Sequence, residues 1–348
     1  MVDRPAAGTD PAAASEILRW SRTLVEPALR EAVESLPESL RHICGYHFGW
    51  QEPSGTPRRA AGGKALRAAL ALVAGEAVAG VARAALPAAV AVELVHNSSL
   101  LHDDVMDRDL TRRRRPSAWS VFGESPALLA GDALLALAYG SLAAGTLATP
   151  VEPGIRMLGR AVNEMLAGQH EDLSFARRAS VGLEECLATA EAKTGALLGY
   201  ACGLGAWAAG ADADLTASLT EFGRRLGLAF QLADDLLGIW GDPACTGKDR
   251  FADLRTRKKS LPVVAALQSG TAAADALAAL YKQHDPLTAA QLRRAADLID
   301  AAGGRRWAQR QAAHLLTECA LILADAAVPA AAAAKLRILA AFATARRR

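Results

Sequence analysis

The sequence predicts an all-α fold, a single large helix bundle around a deep central cavity. Three observations predict it. Helical periodicity runs almost unbroken along the chain after an N-terminal tail. Hydrophobic residues make up 51% of the 348 residues, and much of that share is alanine, which favours helix and close helix packing. Aromatic residues are only 5% and alternating β-branched runs are few, which argues against a sheet.

Taken in order, the stretch MVDRPAAGTDPAAAS lacks the apolar segment of a signal peptide, and residues 1–13 read as a disordered tail. Residues 14–348 then read as one all-helical domain. Helices are predicted over 14–36, 64–80, 85–106, 126–146, 153–173, 182–208 and 213–238. Shorter ones are expected over 259–268, 286–302, 304–327 and 329–346. Breaks fall at Pro53–Gly55–Pro57, Arg115–Pro116, Pro150–Pro153–Gly154 and Gly241–Asp242–Pro243. No repeat and no linker splits the chain, and the alanine-rich stretch 326–334 reads as a surface helix. Such a bundle builds ligand sites from side chains on facing helices.

Composition excludes several classes of function. The formal net charge is +2, without the basic excess of a nucleic-acid binder. The five cysteines, Cys44, Cys186, Cys202, Cys245 and Cys319, are scattered, form no CxxC pair and fit a reducing cytoplasm. Arg67, Glu76, Arg83 and Glu93 interrupt the longest apolar stretches, so a soluble chain with no membrane span is expected.

Two acidic clusters carry the chemistry. In ELVHNSSLLHDDVMD, residues 93–107, an apolar helix ends in Asp103, Asp104 and Asp107. Asp103 and Asp107 are i and i+4, so both carboxylates leave one face a turn apart. A solvated helix end tolerates that repulsion, whereas a divalent cation makes it favourable. Oxygen-only donors suit magnesium, which keeps waters and binds substrate phosphates. The second cluster, FQLADDLLGIWGD over 230–242, places Asp234 and Asp235 near the end of another apolar helix. Facing helices of this kind would grip a diphosphate through magnesium from both sides.

Basic residues follow each cluster. Arg112 to Arg115 lie past the first, and Lys248, Arg255, Arg257, Lys258 and Lys259 past the second. Consecutive like charges repel unless an anion neutralises them, and arginine forks match phosphate oxygens. A third group lies in GGKALR, residues 62–67, where Lys64 and Arg67 sit on a first helical turn. Cations there oppose the helix dipole, and a bound anion would explain them.

GGKALR, ELVHNSSLLHDDVMD with RRRRP, GQHEDL, EAKTGAL, FQLADD and GKDRFADLRTRKKSLP occur in that order. From about Tyr46 to Pro262 the chain resembles the trans-type polyprenyl diphosphate synthases, the family of farnesyl and geranylgeranyl diphosphate synthases, and most of all the bacterial geranylgeranyl type. The resemblance implies the isoprenoid synthase fold with a deep apolar cavity, a homodimer, and three magnesium ions with the diphosphate bound. It implies that Asp103, Asp107 and Asp234 hold magnesium, with Asp104 and Asp235 beside them. Arg112, Lys193, Lys248 and Lys258 would contact the allylic diphosphate, and Lys64, Arg67, His96 and Arg113 that of isopentenyl diphosphate. Thr194 and Gln231 would lie near the reacting carbons, and Gln169 and Asp172 would line the site. His96 stands seven residues before Asp103, two turns away on the same face. His102 and His170 receive no role, and Met106 and Trp240 are expected to serve packing.

Three departures stand out. Gly238 replaces the last aspartate of the second motif, Arg114 replaces a usual glycine, and Ala65 and Ala68 replace an arginine and a proline. The implied reaction is ionisation, condensation and elimination, without a histidine or glutamate base. Ser98 and Ser99 precede Asp103 by one to two turns, and small residues there imply a long product, geranylgeranyl diphosphate of about twenty carbons. A terpene cyclase on the same fold and a weakly active subunit of a heteromeric synthase remain as alternatives. Lys64, Arg67 and Arg113 speak against the first, and the two retained aspartate clusters against the second.

Overall fold

The computed structural model describes residues 10–58, 63, 65–145, 147–243, 250–283 and 285–345. Helix α1 (Pro11–Glu34) starts three residues before the expected position 14. Asp10 accepts hydrogen bonds from the Ala12 and Ala13 N–H groups, and Pro11 pre-sets the first turn. Helix α2 (Glu38–Phe48) was not expected. All six residues from Ile43 to Phe48 are buried, so it carries no amphipathic stripe to read.

Helix α3 (Leu66–Ala79) and a short 3₁₀ turn (Ala82–Ala85) lead into α4 (Leu86–Met106). A small ribbon follows, where strand β1 (Thr111–Arg112) pairs antiparallel with β2 (Arg115–Pro116). The chain reverses at Arg113 and Arg114, both left-handed with φ of 52° and 62°. Such a two-residue turn usually takes Asn or Gly, and each other L-residue costs roughly 1–2 kcal/mol. Arg114 therefore keeps the backbone shape expected of glycine.

Gly123, at φ +97°, separates α5 (Ala118–Phe122) from α6 (Glu124–Ala144). After α7 (Val151–Phe175), helix α8 (Leu183–Ala190) continues through a π-helical turn (Glu191–Gly195) into α9 (Ala196–Ala208). The long α10 (Ala213–Trp240) is followed by α11 (Ala252–Arg255) and α12 (Leu261–Leu267). Helix α13 (Ala272–Tyr281) was also missed, since its alanine-rich sequence shows little contrast between faces. Helices α14 (Ala289–Ala301), α15 (Gly304–Asp325) and α16 (Ala330–Thr344) close the chain.

Helix α9 is buried at every position and lies against α3, α4, α7 and α10. Its glycines permit this. A Cβ at Gly205 would fall 2.1 Å from the Ala71 carbonyl oxygen of α3. A Cβ at Gly227 of α10 would fall 2.5 Å from Gly195 Cα, at the end of the π turn. Backbones meet directly at these crossings, and added methyls would force them apart. Two segments, Ala82–Met106 and Glu124–Ala144, are long and apolar enough to cross a membrane by length and composition alone. The first is mostly buried among other helices, whereas α6 leaves Leu128 and Leu129 exposed.

Candidate active site

Helix α4 ends at the first acidic cluster. Asp103 lies in its last turn, and the Asp107 N–H donates to the Asp103 carbonyl at 2.8 Å. Carboxylates at a helix C-terminus oppose its dipole, so they do not serve the helix. Burial pushes Asp103 up to about 6, with Lys193 pulling it down and Asp107 pushing it up. Burial also raises Asp107, against the pull of Lys193 and Lys258.

Asp104 points elsewhere. It is buried and accepts from Arg112 Nε at 2.8 Å and from Arg112 Nη2. Asp104, expected beside the magnesium ligands, anchors Arg112. Successive residues on a helix leave it about 100° apart, and Arg112 meets Asp104 on its own side. Arg112 is held beside the cluster in turn, with two of its nitrogens committed to Asp104.

The π turn supplies Lys193 and Thr194. Such turns widen a helix locally and recur at functional sites. A Cβ at Gly168 of α7 would fall 2.3 Å from the Lys193 backbone nitrogen, so only glycine lets the turn sit here. Lys193 Nζ reaches Asp172 Oδ2 at 2.5 Å. Burial works against the charged form of Asp172, yet Lys193 and Lys258 hold its carboxyl below the ordinary value. Thr194 Oγ1 donates to Gln231 Oε1 at 2.7 Å, and Gln231 Nε2 donates to Asp235 Oδ1 at 2.8 Å. Asp235 also accepts from the Leu261 N–H at 3.0 Å, and burial pushes it up to about 7. This chain of bonds ties the π turn, α10 and α12 together, and it makes Asp235 a support.

Lys258 joins the two acidic clusters. Its ammonium is stabilised, against burial, by Asp253, Asp235, Asp172 and Asp234, and it acts in turn on Asp107. Lys258 thus lies within electrostatic reach of carboxylates at the ends of both α4 and α10.

A cationic wall stands beside them. Arg67 Nη1 donates to His96 Nε2 at 3.1 Å, which places the ring proton on Nδ1. Arg113 Nη2 approaches Asn97 Oδ1 at 3.5 Å, and its guanidinium covers the position where Gly63 has no side chain. Buried Glu93 lies beneath, its carboxyl raised by burial against the pull of Arg67 and Arg113. Burial and the arginines keep His47 and His96 neutral, His47 at about 3 and His96 well below its ordinary value. A hollow of about 90 Å³ here is lined by His47, Arg58, Arg112, Arg113 and Arg115 among others. Sequence reasoning missed Glu93, Asn97 and His47. The first two lie inside the quoted motif, and His47 gave no signal because its partners come from distant segments.

Lys64 and Lys248 lie outside the described residues. Gln169 is buried with Nε2 unpartnered, near the Lys193 turn. Ser98 is buried, and Ser99 Oγ donates to the His96 carbonyl at 2.8 Å. Met106 is 42% exposed, so it does not pack as expected, whereas Trp240 lies under the Arg305 guanidinium. Among the described residues, no three carboxylate, imidazole or thiolate groups converge as a closed metal cage. Magnesium is commonly held by one or two carboxylates and completed by phosphate oxygens and water, and Asp103 and Asp107, one turn apart at the end of α4, could supply such a pair.

Comparison with known proteins decides the family. The profile described as polyprenyl synthetase matches residues 57–299, past Pro262 where the motifs end. The chain belongs to the polyprenyl synthetase family. It is accordingly an enzyme, a prenyltransferase with the all-α isoprenoid synthase fold. A (2E,6E)-farnesyl diphosphate synthase of Mycobacterium tuberculosis is 43% identical over 93% of this chain and 91% of its own length. A geranylgeranyl diphosphate synthase of the same organism is 44% identical over 89% of each chain. Among solved structures, a polyprenyl synthetase from Streptomyces coelicolor A3(2) superposes with a TM-score of 0.90 at 43% identity. It covers 95% of this chain and 99% of its own. Polyprenyl synthetases therefore share with this chain both the helix order and most of its length.

Proposed function

We propose that this polyprenyl synthetase condenses isopentenyl diphosphate with an allylic diphosphate and releases geranylgeranyl diphosphate. One observation carries the reading. Two acidic helix ends share Lys258, Lys193 acts on the first of them, and a separate cationic wall stands next to them. The first arrangement suits a metal-bound diphosphate and the second a diphosphate alone.

Asp103, Asp107 and Asp234 would hold magnesium, which when bound neutralises charge on the allylic diphosphate. Lys193, Lys258 and Arg112, with Lys248, bind that diphosphate and stabilise it as the carbon–oxygen bond breaks and the electron pair leaves with it. Arg67, Arg113 and His96, with Lys64, orient isopentenyl diphosphate so that its double bond attacks the allylic carbon. A proton then leaves the new chain for the departed diphosphate. Thr194 and Gln231 flank the reacting carbons, and Gln169 and Asp172 back the lysines.

The small side chains of Ser98 and Ser99 favour a twenty-carbon product, since the growing tail runs along α4 away from Asp103. Similarity to both a farnesyl and a geranylgeranyl diphosphate synthase does not separate the two products. Product masses decide it, with dimethylallyl, geranyl and farnesyl diphosphates given in turn beside isopentenyl diphosphate. We expect about twenty carbons from each, and a shorter product from Ser98→Phe. Products that stop at fifteen carbons contradict the length, and hydrocarbon formed without isopentenyl diphosphate indicates cyclisation.

We further propose a homodimer that covers α6, where Leu128 and Leu129 are exposed on an apolar helix. A cytoplasmic setting accords with four buried cysteines, Cys44, Cys186, Cys202 and Cys319, that carry free thiols.

A further inference from the structure

Helix α1 lies outside every motif that carries the reaction, yet one of its arginines turns inward. The buried stripe of the helix runs through Leu18, Val25 and Leu29, and Arg22, half-buried, borders it at helical spacing from all three. Arginine is seldom turned towards a core without a partner. Arg22 Nη2 donates to the Gly63 carbonyl at 3.2 Å, which ties α1 to the turn before α3. Nε of the same side chain is buried and has no partner among the described residues. The same is true of Glu93 Oε2 on α4, and Glu93 as a whole is only 5% exposed. Arg22 and Glu93 line one hollow of about 40 Å³, with Val25, Leu29, Asn97 and Arg113 around them.

We propose that Arg22 is a positioning residue for isopentenyl diphosphate, joined to Glu93 through ordered water in this hollow. The inference rests on the function proposed above.

The two open atoms complement each other. Arg22 Nε can only donate, and an ionised Glu93 Oε2 can only accept. Leaving both unpaired in the interior is unfavourable, and water satisfies the two together. A water needs about 10–15 Å³ of such space, so the hollow has room for about three. Beyond Glu93 the connections reach the cationic wall. Arg67 and Arg113 draw down the Glu93 carboxyl against its burial. Asn97 Nδ2 donates to the Glu93 carbonyl at 2.8 Å, and Asn97 Oδ1 faces Arg113 Nη2 at 3.5 Å. Arg22 therefore holds the wall from behind in two ways. One contact fixes the Gly63 turn, and the water link fixes the carboxylate on which both guanidinium groups rest. The acidic half of the site has no such tie to α1 among the described residues, so the effect of Arg22 should fall on one substrate.

The test combines calorimetry of isopentenyl diphosphate binding with steady-state kinetics in which each substrate is varied in turn. Arg22→Met keeps the length of the side chain and removes its donors. It should raise the Kd and the KM for isopentenyl diphosphate by about tenfold and leave the KM for geranyl diphosphate within about twofold. A merely structural role would lower turnover without favouring one substrate. Arg22→Gln, which keeps one donor, should lie between, and it carries the same comparison if Arg22→Met does not fold. In a Glu93→Gln background the further effect of Arg22→Met should shrink to less than about threefold, because the two act on the wall together. Unchanged isopentenyl diphosphate binding in Arg22→Met overturns the positioning role alone. An equal rise in KM for both substrates, or a full tenfold effect in the Glu93→Gln background, also overturns it. Natural protein that does not bind isopentenyl diphosphate overturns the proposed function as well.

Discussion

Two halves of the site lie next to each other and are built on opposite electrostatic plans. Among the described residues, Asp103 and Asp107 at the end of α4, Asp234 on α10 and Asp172 on α7 lie within electrostatic reach of Lys193, Lys258 or both, with Arg112 acting on Asp103 as well. On the neighbouring wall, Arg67 and Arg113 lie over one buried carboxylate, Glu93, with Asn97, His47 and His96 uncharged between them. The acidic half is incomplete without added positive charge. The basic half is incomplete only without an anion. On the function proposed above, the two halves would distinguish two diphosphates by whether each brings metal ions with it.

The largest effect expected to sharpen this contrast is Asp103→Asn. Loss of a carboxylate from the acidic half should lower kcat/KM by about 10³-fold, since electrostatic stabilisation of the departing charge is lost. The KM for isopentenyl diphosphate should barely change, and steady-state kinetics with each substrate varied in turn checks both. Arg113→Ala should act in the reverse sense. It should raise the KM for isopentenyl diphosphate by about 30-fold, the worth of a charge-assisted hydrogen bond. A comparable rise for the allylic substrate would break the division into halves.

A smaller effect is expected from Gly227→Ala, which touches neither diphosphate. Its methyl would fall 2.5 Å from Gly195 Cα and 3.1 Å from the Thr194 carbonyl oxygen. Overpacking should destabilise the protein by about 2 kcal/mol in denaturant titrations. It should also displace the π turn, so that turnover falls more than this loss of folded protein explains. A variant that is destabilised yet turns over normally when folded would show that the turn does not depend on this crossing.

The acidic half was far more legible in the sequence than the basic one. Asp103 and Asp107 lie within five residues, and helix geometry alone puts them on one face. Lys193, Thr194 and Gln231 were identifiable through the family motifs, but the bonds that link them needed the fold. The Arg112 partner of Asp104 was not legible, because it comes from the ribbon beyond the helix end. The support of Arg67 and Arg113 by Glu93 was hidden, since a buried glutamate inside a motif looks the same as an exposed one. The helices missed, α2 and α13, lack a polar face or a clear periodicity, while α4, α9 and α10 are long enough to read at once.

The most direct measurement is calorimetric binding of geranyl diphosphate and of isopentenyl diphosphate to the natural protein, each with magnesium and again with chelator. Chelation should abolish binding of geranyl diphosphate and leave the affinity for isopentenyl diphosphate within about threefold, because the cationic wall needs no metal. Equal loss of both ligands, or equal retention of both, would contradict the division of the site on which the account rests.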